Sequence, residues 1–87
     1  MLKIKRAANS EVVLTLCGRM DAENVIELKS LLKSEAEGRR IVLDLKDLTL
    51  VDREAVRFLE RCEVDSVQLK NCPGYIREWI TRERDAG

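Results

Sequence analysis

The chain has 87 residues, which suits one domain spanning 1–87, with a core that takes roughly 60–65% of the unfolded surface out of water. Its 16 basic and 16 acidic residues cancel, so no global field draws it to nucleic acid or anionic lipid, and its apolar runs fall far short of the ~20 residues that span a bilayer. The absence of histidine excludes Ser-His and Cys-His catalysis, and Cys17, Cys62 and Cys72, which lack C-x-x-C spacing, read as reduced thiols rather than a disulfide framework or zinc site. No metal or cofactor is expected. The opening MLKIKR lacks the apolar core and cleavage site of a signal peptide, so the expected location is the cytoplasm.

Leu2 to Ala7 alternates Leu2 and Ile4 with Lys3 and Lys5, the pattern of an edge strand protected by lysines. Ala8-Asn9-Ser10-Glu11 supplies turn residues, and Val12 to Cys17 alternates again, so the two strands are expected to form a hairpin, with Gly18 ending the second. Asp21 can cap a following helix whose stripe is Val25, Leu28, Leu31, Leu32 and Glu35 to Ala36, with Gly38 as its C-cap. A strand from about Arg40 to Leu45 comes next, then a short crossing segment. After Asp52, an N-cap candidate, Ala55, Phe58, Leu59 and Cys62 fall at i, i+3, i+4 and i+7, the stripe of a helix with one buried side. Ser66 to Lys70 reads as a further strand. Cys72-Pro73 opens a last helix carrying Tyr75, Ile76, Trp79 and Ile80, proline suiting the first helical position, and Arg82 to Gly87 is expected to fray.

Strands alternating with helices imply right-handed crossovers. The expected class is α/β, with a mainly parallel sheet of about four strands, the first antiparallel. Thr15, Asp44, Gln68 and Lys70 on the second face of the strands place the helices mostly on one face, since sheets covered on both sides carry continuously apolar strands.

Gly18-Arg19-Met20-Asp21, Ile41-Val42-Leu43-Asp44-Leu45 and Leu50-Val51-Asp52 before a helix, in that order and spacing, resemble the STAS domain, the fold of anti-sigma factor antagonists. The resemblance spans Glu11 to about Ile80. It implies a small non-catalytic module of bacterial signalling or transcription control whose partner is a protein, in most members a kinase-type anti-sigma factor. The family's Asp-Ser-Ser-Gly motif at the start of the second helix falls on Asp52, Arg53, Glu54 and Ala55. The aspartate carries over, but Arg53 has no hydroxyl to phosphorylate, so a serine switch there is excluded and regulation would need another residue such as Thr49. The final strand and helix of the usual domain also look absent, which implies a diverged, shortened member.

The starts of crossover helices lie at one end of a parallel sheet, where open α/β folds place their ligands. Asp21, Asn24, Asp52, Arg53, Glu54 and Arg57 are therefore the candidate partner-binding residues, against the plainer reading of helix caps with a charged first turn. Tyr75 and Trp79, an i, i+4 pair, are core aromatics or a possible homodimer or partner interface. Cys72 at a helix start reads as a packed thiol or, through the helix dipole, a reactive one. Two other readings stay open: a self-associating structural subunit, and an enzyme or small-ligand binder using Asp21, Asp52 and Glu54, with Cys72 as a further candidate, since carboxylates can do acid-base work without histidine.

Overall fold

The computed structural model describes residues 2–35 and 40–86. The elements run β1 (Leu2–Ala8), β2 (Glu11–Met20), α1 (Ala22–Ser34), β3 (Arg40–Val51), α2 (Arg53–Val64), β4 (Gln68–Lys70) and α3 (Gly74–Ala86). The four strands form one sheet in the order β1-β2-β3-β4, with β1 antiparallel to β2 and the other pairs parallel. The α/β class and the antiparallel first strand are as expected. The expected C-cap Gly38 and the end of the α1 stripe at Ala36 lie outside the described residues.

The core lies on one side of the sheet. Val12, Leu14 and Leu16 of β2 and Ile41, Leu43 and Leu45 of β3 point into the same cluster as Val25 and Leu28 of α1, Phe58, Leu59 and Cys62 of α2, and Ile76 and Ile80 of α3. All three helices therefore cover one face. The other face carries Thr15, Asp44, Gln68 and Lys70, with Val42 buried between Val13 and Gln68 in register.

Four boundaries differ from the sequence reading. Gly18 does not end β2, and no crossing segment separates β3 from α2: both strands continue, to Met20 and Val51. The reason is a pair of irregularities. Thr15 faces Asp44 and Cys17 faces Asp47, so two steps on β2 meet three on β3; Gly18 faces Leu48 and Arg19 faces Leu50, which inserts a second extra residue. Each insertion reverses which face the next residue addresses. Leu45, Leu48 and Val51 consequently all reach the core side at a spacing of three, whereas strict alternation would have sent Asp47 and Thr49 inward. Gly18 sits at φ 97° beside the second irregularity, a conformation that a Cβ would penalise. An alternation test misses such a strand because the strand does not alternate.

The C-terminal segment from Arg82 is helical to Ala86 rather than frayed. Glu63 of α2 receives a bidentate pair from Arg77 (2.8 and 2.9 Å) and a further bond from Arg84 (2.7 Å), while Glu83 faces Arg53 and Arg57 on α2. These contacts hold the last turns of α3 along α2. Pro73 stands just before α3, its carbonyl accepting from the Ile76 and Arg77 N–H groups. The strand expected from Ser66 begins only at Gln68, because Ser66, at φ 70°, closes α2: its N–H donates to the Glu63 carbonyl and that of Val67 to the Cys62 carbonyl. That pair is the Schellman arrangement, with serine where glycine is usual.

The Arg77 and Arg84 guanidiniums hold the Glu63 carboxyl below the usual range, hydrogen bonding from Arg77 being the main cause and partial burial opposing it. A carboxylate more acidic in the folded than in the unfolded chain stabilises above its unfolded pKa, and that contribution is lost as pH falls through the lowered folded value. Glu63→Gln should therefore cost about 1 kcal/mol at neutral pH, the upper end for ion pairs that solvent screens. Urea titrations from pH 7 downward should show the difference holding to about pH 4, near the unperturbed carboxylate range, and shrinking only at lower pH.

Candidate functional site

Two strand-to-helix junctions are built alike. Met20 and Val51 are paired neighbours at the ends of the parallel strands β2 and β3, and each is followed by one aspartate and then a helix. Asp21 Oδ1 accepts from the N–H groups of Glu23 (3.1 Å) and Asn24 (3.3 Å), and Asn24 Oδ1 accepts in return from the Asp21 N–H at 3.0 Å. This is a reciprocal capping box with asparagine in the returning position. Asp52 does more than cap its own helix. Its Oδ1 accepts from the Ala55 N–H at 2.9 Å, and its Oδ2 reaches the Ala22 N–H, the first residue of α1, at 3.2 Å. The Asp52 N–H itself donates to the Met20 carbonyl at 3.3 Å. One carboxylate thus accepts from the free N–H groups at two helix starts, where the dipoles of both favour its charge.

The structure accordingly brings Asp21, Asn24 and Asp52 together, all half-buried, with side chains occupied by backbone donors. Arg53, Glu54 and Arg57 point outward from the first turns of α2. Arg53 Nε donates to Glu83 Oε1 at 3.2 Å, Arg57 lies 3.8 Å from the same oxygen, and Arg57 also faces Glu54 at 3.9 Å. Glu83, which the sequence reading left in a frayed tail, is therefore the residue that organises this charged face.

Tyr75 and Trp79 diverge in role. Trp79 packs against the core, whereas Tyr75 is 49% exposed and its hydroxyl donates to the Thr49 carbonyl at 2.6 Å. Leu50, the next residue, is 59% exposed. This apolar pair beside the helix starts was missed because Leu50 was read as part of a connection; the signal was the odd spacing of Leu45, Leu48 and Val51. Thr49 Oγ1 donates to the Gly18 carbonyl at 2.9 Å.

The surroundings of Cys62 and Cys72 do not make their thiols more acidic. Cys72 packs against the core, and burial pushes its thiol up, outweighing nearby Arg77, which favours the packed reading over the reactive one. Cys62 is buried and pushed up to about 12, chiefly by burial and then by Asp65 and Glu63. Among the described residues no three side chains of the ligating types gather to hold a metal ion, and no helix is long and apolar enough to cross a membrane.

A family model described as "Mlab, STAS domain" matches residues 5–81. The chain belongs to this STAS family. The STAS fold recurs in solved structures. The anti-sigma factor antagonist SpoIIAA in its unphosphorylated form superposes with a TM-score of 0.65 at 18% identity over 90% of this chain and 79% of that one. An uncharacterised protein with a SpoIIAA-like fold from Shewanella loihica gives 0.59 at 17% identity over 98% and 77%. Mglu gives 0.62 at 20% identity, the match covering 83% of this STAS chain and 19% of that longer chain. No curated protein matches. At these identities the structural likeness establishes the fold alone.

The geometry ranks the two caps. Asp52→Ala removes acceptors at two helix starts and should lower stability by about 2 kcal/mol, against about 1 kcal/mol for Asp21→Ala, where Asn24 retains its bond to the backbone. Equilibrium urea unfolding of the two variants measures the difference; equal losses would mean that the Oδ2 bond to Ala22 contributes nothing.

Proposed function

We propose that this STAS chain is a non-catalytic protein-interaction module of bacterial signalling or transcription control, related in action to anti-sigma factor antagonists and without a serine switch at the start of α2. The observation that carries this reading is the first turn of α2. Arg53, Glu54 and Arg57 stand outward there while Asp52 beneath them is tied to both helix starts, so the charged groups are displayed on a backbone that does not yield. A pre-formed edge of this kind loses little conformational entropy when a partner docks. Exposed Leu50 and Tyr75 supply the apolar contact that a charged edge lacks, in keeping with interfaces that pair an aromatic anchor with a polar rim. The partner class is a cytoplasmic protein, a kinase-type anti-sigma factor being the one the family resemblance favours.

Arg53 replaces the phospho-acceptor, which has a consequence for control. A guanidinium facing Glu83 keeps a fixed positive charge where phosphorylation would introduce a negative one. Binding at this edge is therefore constitutive in our reading.

The test is a pull-down from lysate of the native organism with the wild type and with Arg53→Glu combined with Glu54→Lys, retained proteins being identified by mass spectrometry. Unfolding of the variant should stay within about 1 kcal/mol of wild type, since exposed ion pairs contribute little. A signalling protein held by the wild type and lost from the variant is the expected result. Equal retention by both would remove the edge from the interface, and recovery of only the protein's own untagged copy would replace the regulatory reading with self-assembly.

A further inference from the structure

A second surface lies between α1 and α2, toward the opposite end of the sheet from most of the helix-start edge. There the two helices part over the beginnings of β3 and β4 and leave an open cleft of about 970 Å³. Its floor is apolar, made by Val25, Leu32, Ile41, Phe58, Cys62 and Val67. Its rim is not neutral. Among the described residues Lys29, Lys33, Arg40, Arg57 and Arg61 line it with two carboxylates, Glu54 and Asp65, in a chain whose total charge is zero.

The two rim carboxylates are, moreover, matched along their own helix: Glu54 faces Arg57 at 3.9 Å and Asp65 faces Arg61 at 3.8 Å. Among the described residues Lys29, Lys33 and Arg40 make no ion pair, although Arg40 has Glu11 as its in-register neighbour on β2, so the α1 side of the cleft presents the lysine charges without a bonded counter-ion among those residues. An apolar floor under a mainly cationic rim selects an occupant that is apolar on one side and anionic on the other.

The walls decide its form. Both long sides of the cleft are α-helices, whose backbone N–H and C=O groups are bonded within the helix, so an extended peptide would find no sheet edge to pair with there. A helix brings its own backbone bonds and needs only side-chain contacts, with apolar residues at i, i+3, i+4 and i+7 on the floor and carboxylates toward the rim. The cleft is also open rather than enclosed, and a closed cavity is what would wrap most of a small ligand's surface.

We infer that the α1–α2 cleft is a docking groove for an acidic amphipathic helix of a partner protein. This does not rest on the helix-start edge, with which it shares only Glu54 and Arg57. The groove would give the module a second, sequence-tolerant contact whose strength falls with salt, because its polar component is charge pairing at a solvated rim.

The test uses the full chain, labelled with ¹⁵N, and three probes. The first is an acidic helical peptide about two heptads long with leucines at i, i+3, i+4 and i+7 and glutamates elsewhere. The second has the same leucines with lysines in place of the glutamates, and the third is dodecanoate. The acidic peptide should saturate with amide shifts centred on Leu32, Ile41, Phe58 and Val67, and it should bind about tenfold more weakly to the Lys33→Glu, Arg40→Glu double variant, each rim pair contributing modestly. Both substitutions are exposed, and thermal unfolding of the variant checks that the fold is retained. The inference is overturned if the acidic peptide produces no saturable shifts, if they map elsewhere, if the lysine peptide binds as tightly, or if dodecanoate alone fills the cleft. Because neither variant residue belongs to the helix-start edge, failure here leaves the pull-down result standing, and the reverse holds as well.

Discussion

One carboxylate joins the two strand-to-helix junctions of this molecule. Two parallel strands end side by side, each delivers a helix after a single residue, and the Asp52 side chain accepts from the N–H groups at both helix starts. Helix starts crowd partial positive charge and unsatisfied donors into a small space, which would repel and desolvate at a cost if nothing negative stood between them. Asp52 supplies that charge, and the β2–β3 pairing supplies the distance. The exposed first turn of α2 takes its position from this arrangement rather than from its own side chains.

The sheet is shaped to the same end. The two irregularities between β2 and β3 turn Leu48 to the core side between Leu45 and Val51, while Leu50 points outward one residue after the Thr49 carbonyl that Tyr75 donates to. The pleat is thereby bent just before the junction that Asp52 closes. On the far side of α2, Glu63 and Glu83 receive arginines and anchor α3, so α2 is held at its start by a cap and along its length by ion pairs. The exposed first turn of α2 and the helix that carries it are held in place by separate contacts.

Much of this was legible in the residues. Period two in Leu2 to Ala7 and Val12 to Cys17, period 3.6 after Asp52, and aspartates just ahead of both helices marked the elements and their caps. The order of short motifs indicated the family. The far half of β3 was not legible, because its inward residues recur every three positions and imitate neither a strand nor a helix. Nor was the helical tail from Arg82: its charged sequence looks solvated until Glu60, Glu63 and Arg53 are seen opposite it. The second partner of Asp52 lies 30 residues away in the chain, and no local spacing rule reaches that far. The candidate residues were thus identifiable as a group, while their division into holders (Asp21, Asn24, Asp52) and displayed groups (Arg53, Glu54, Arg57) required the fold.

The account turns on Asp52 serving two helices at once, and amide hydrogen exchange reads that directly. In the wild type the Ala22 and Ala55 amides should both be protected, and in Asp52→Ala both should exchange faster while the amides in the middle of α3 keep their protection. Loss of protection at Ala55 alone, with Ala22 unchanged, would show that the carboxylate caps only its own helix and that the two starts are held together by something else.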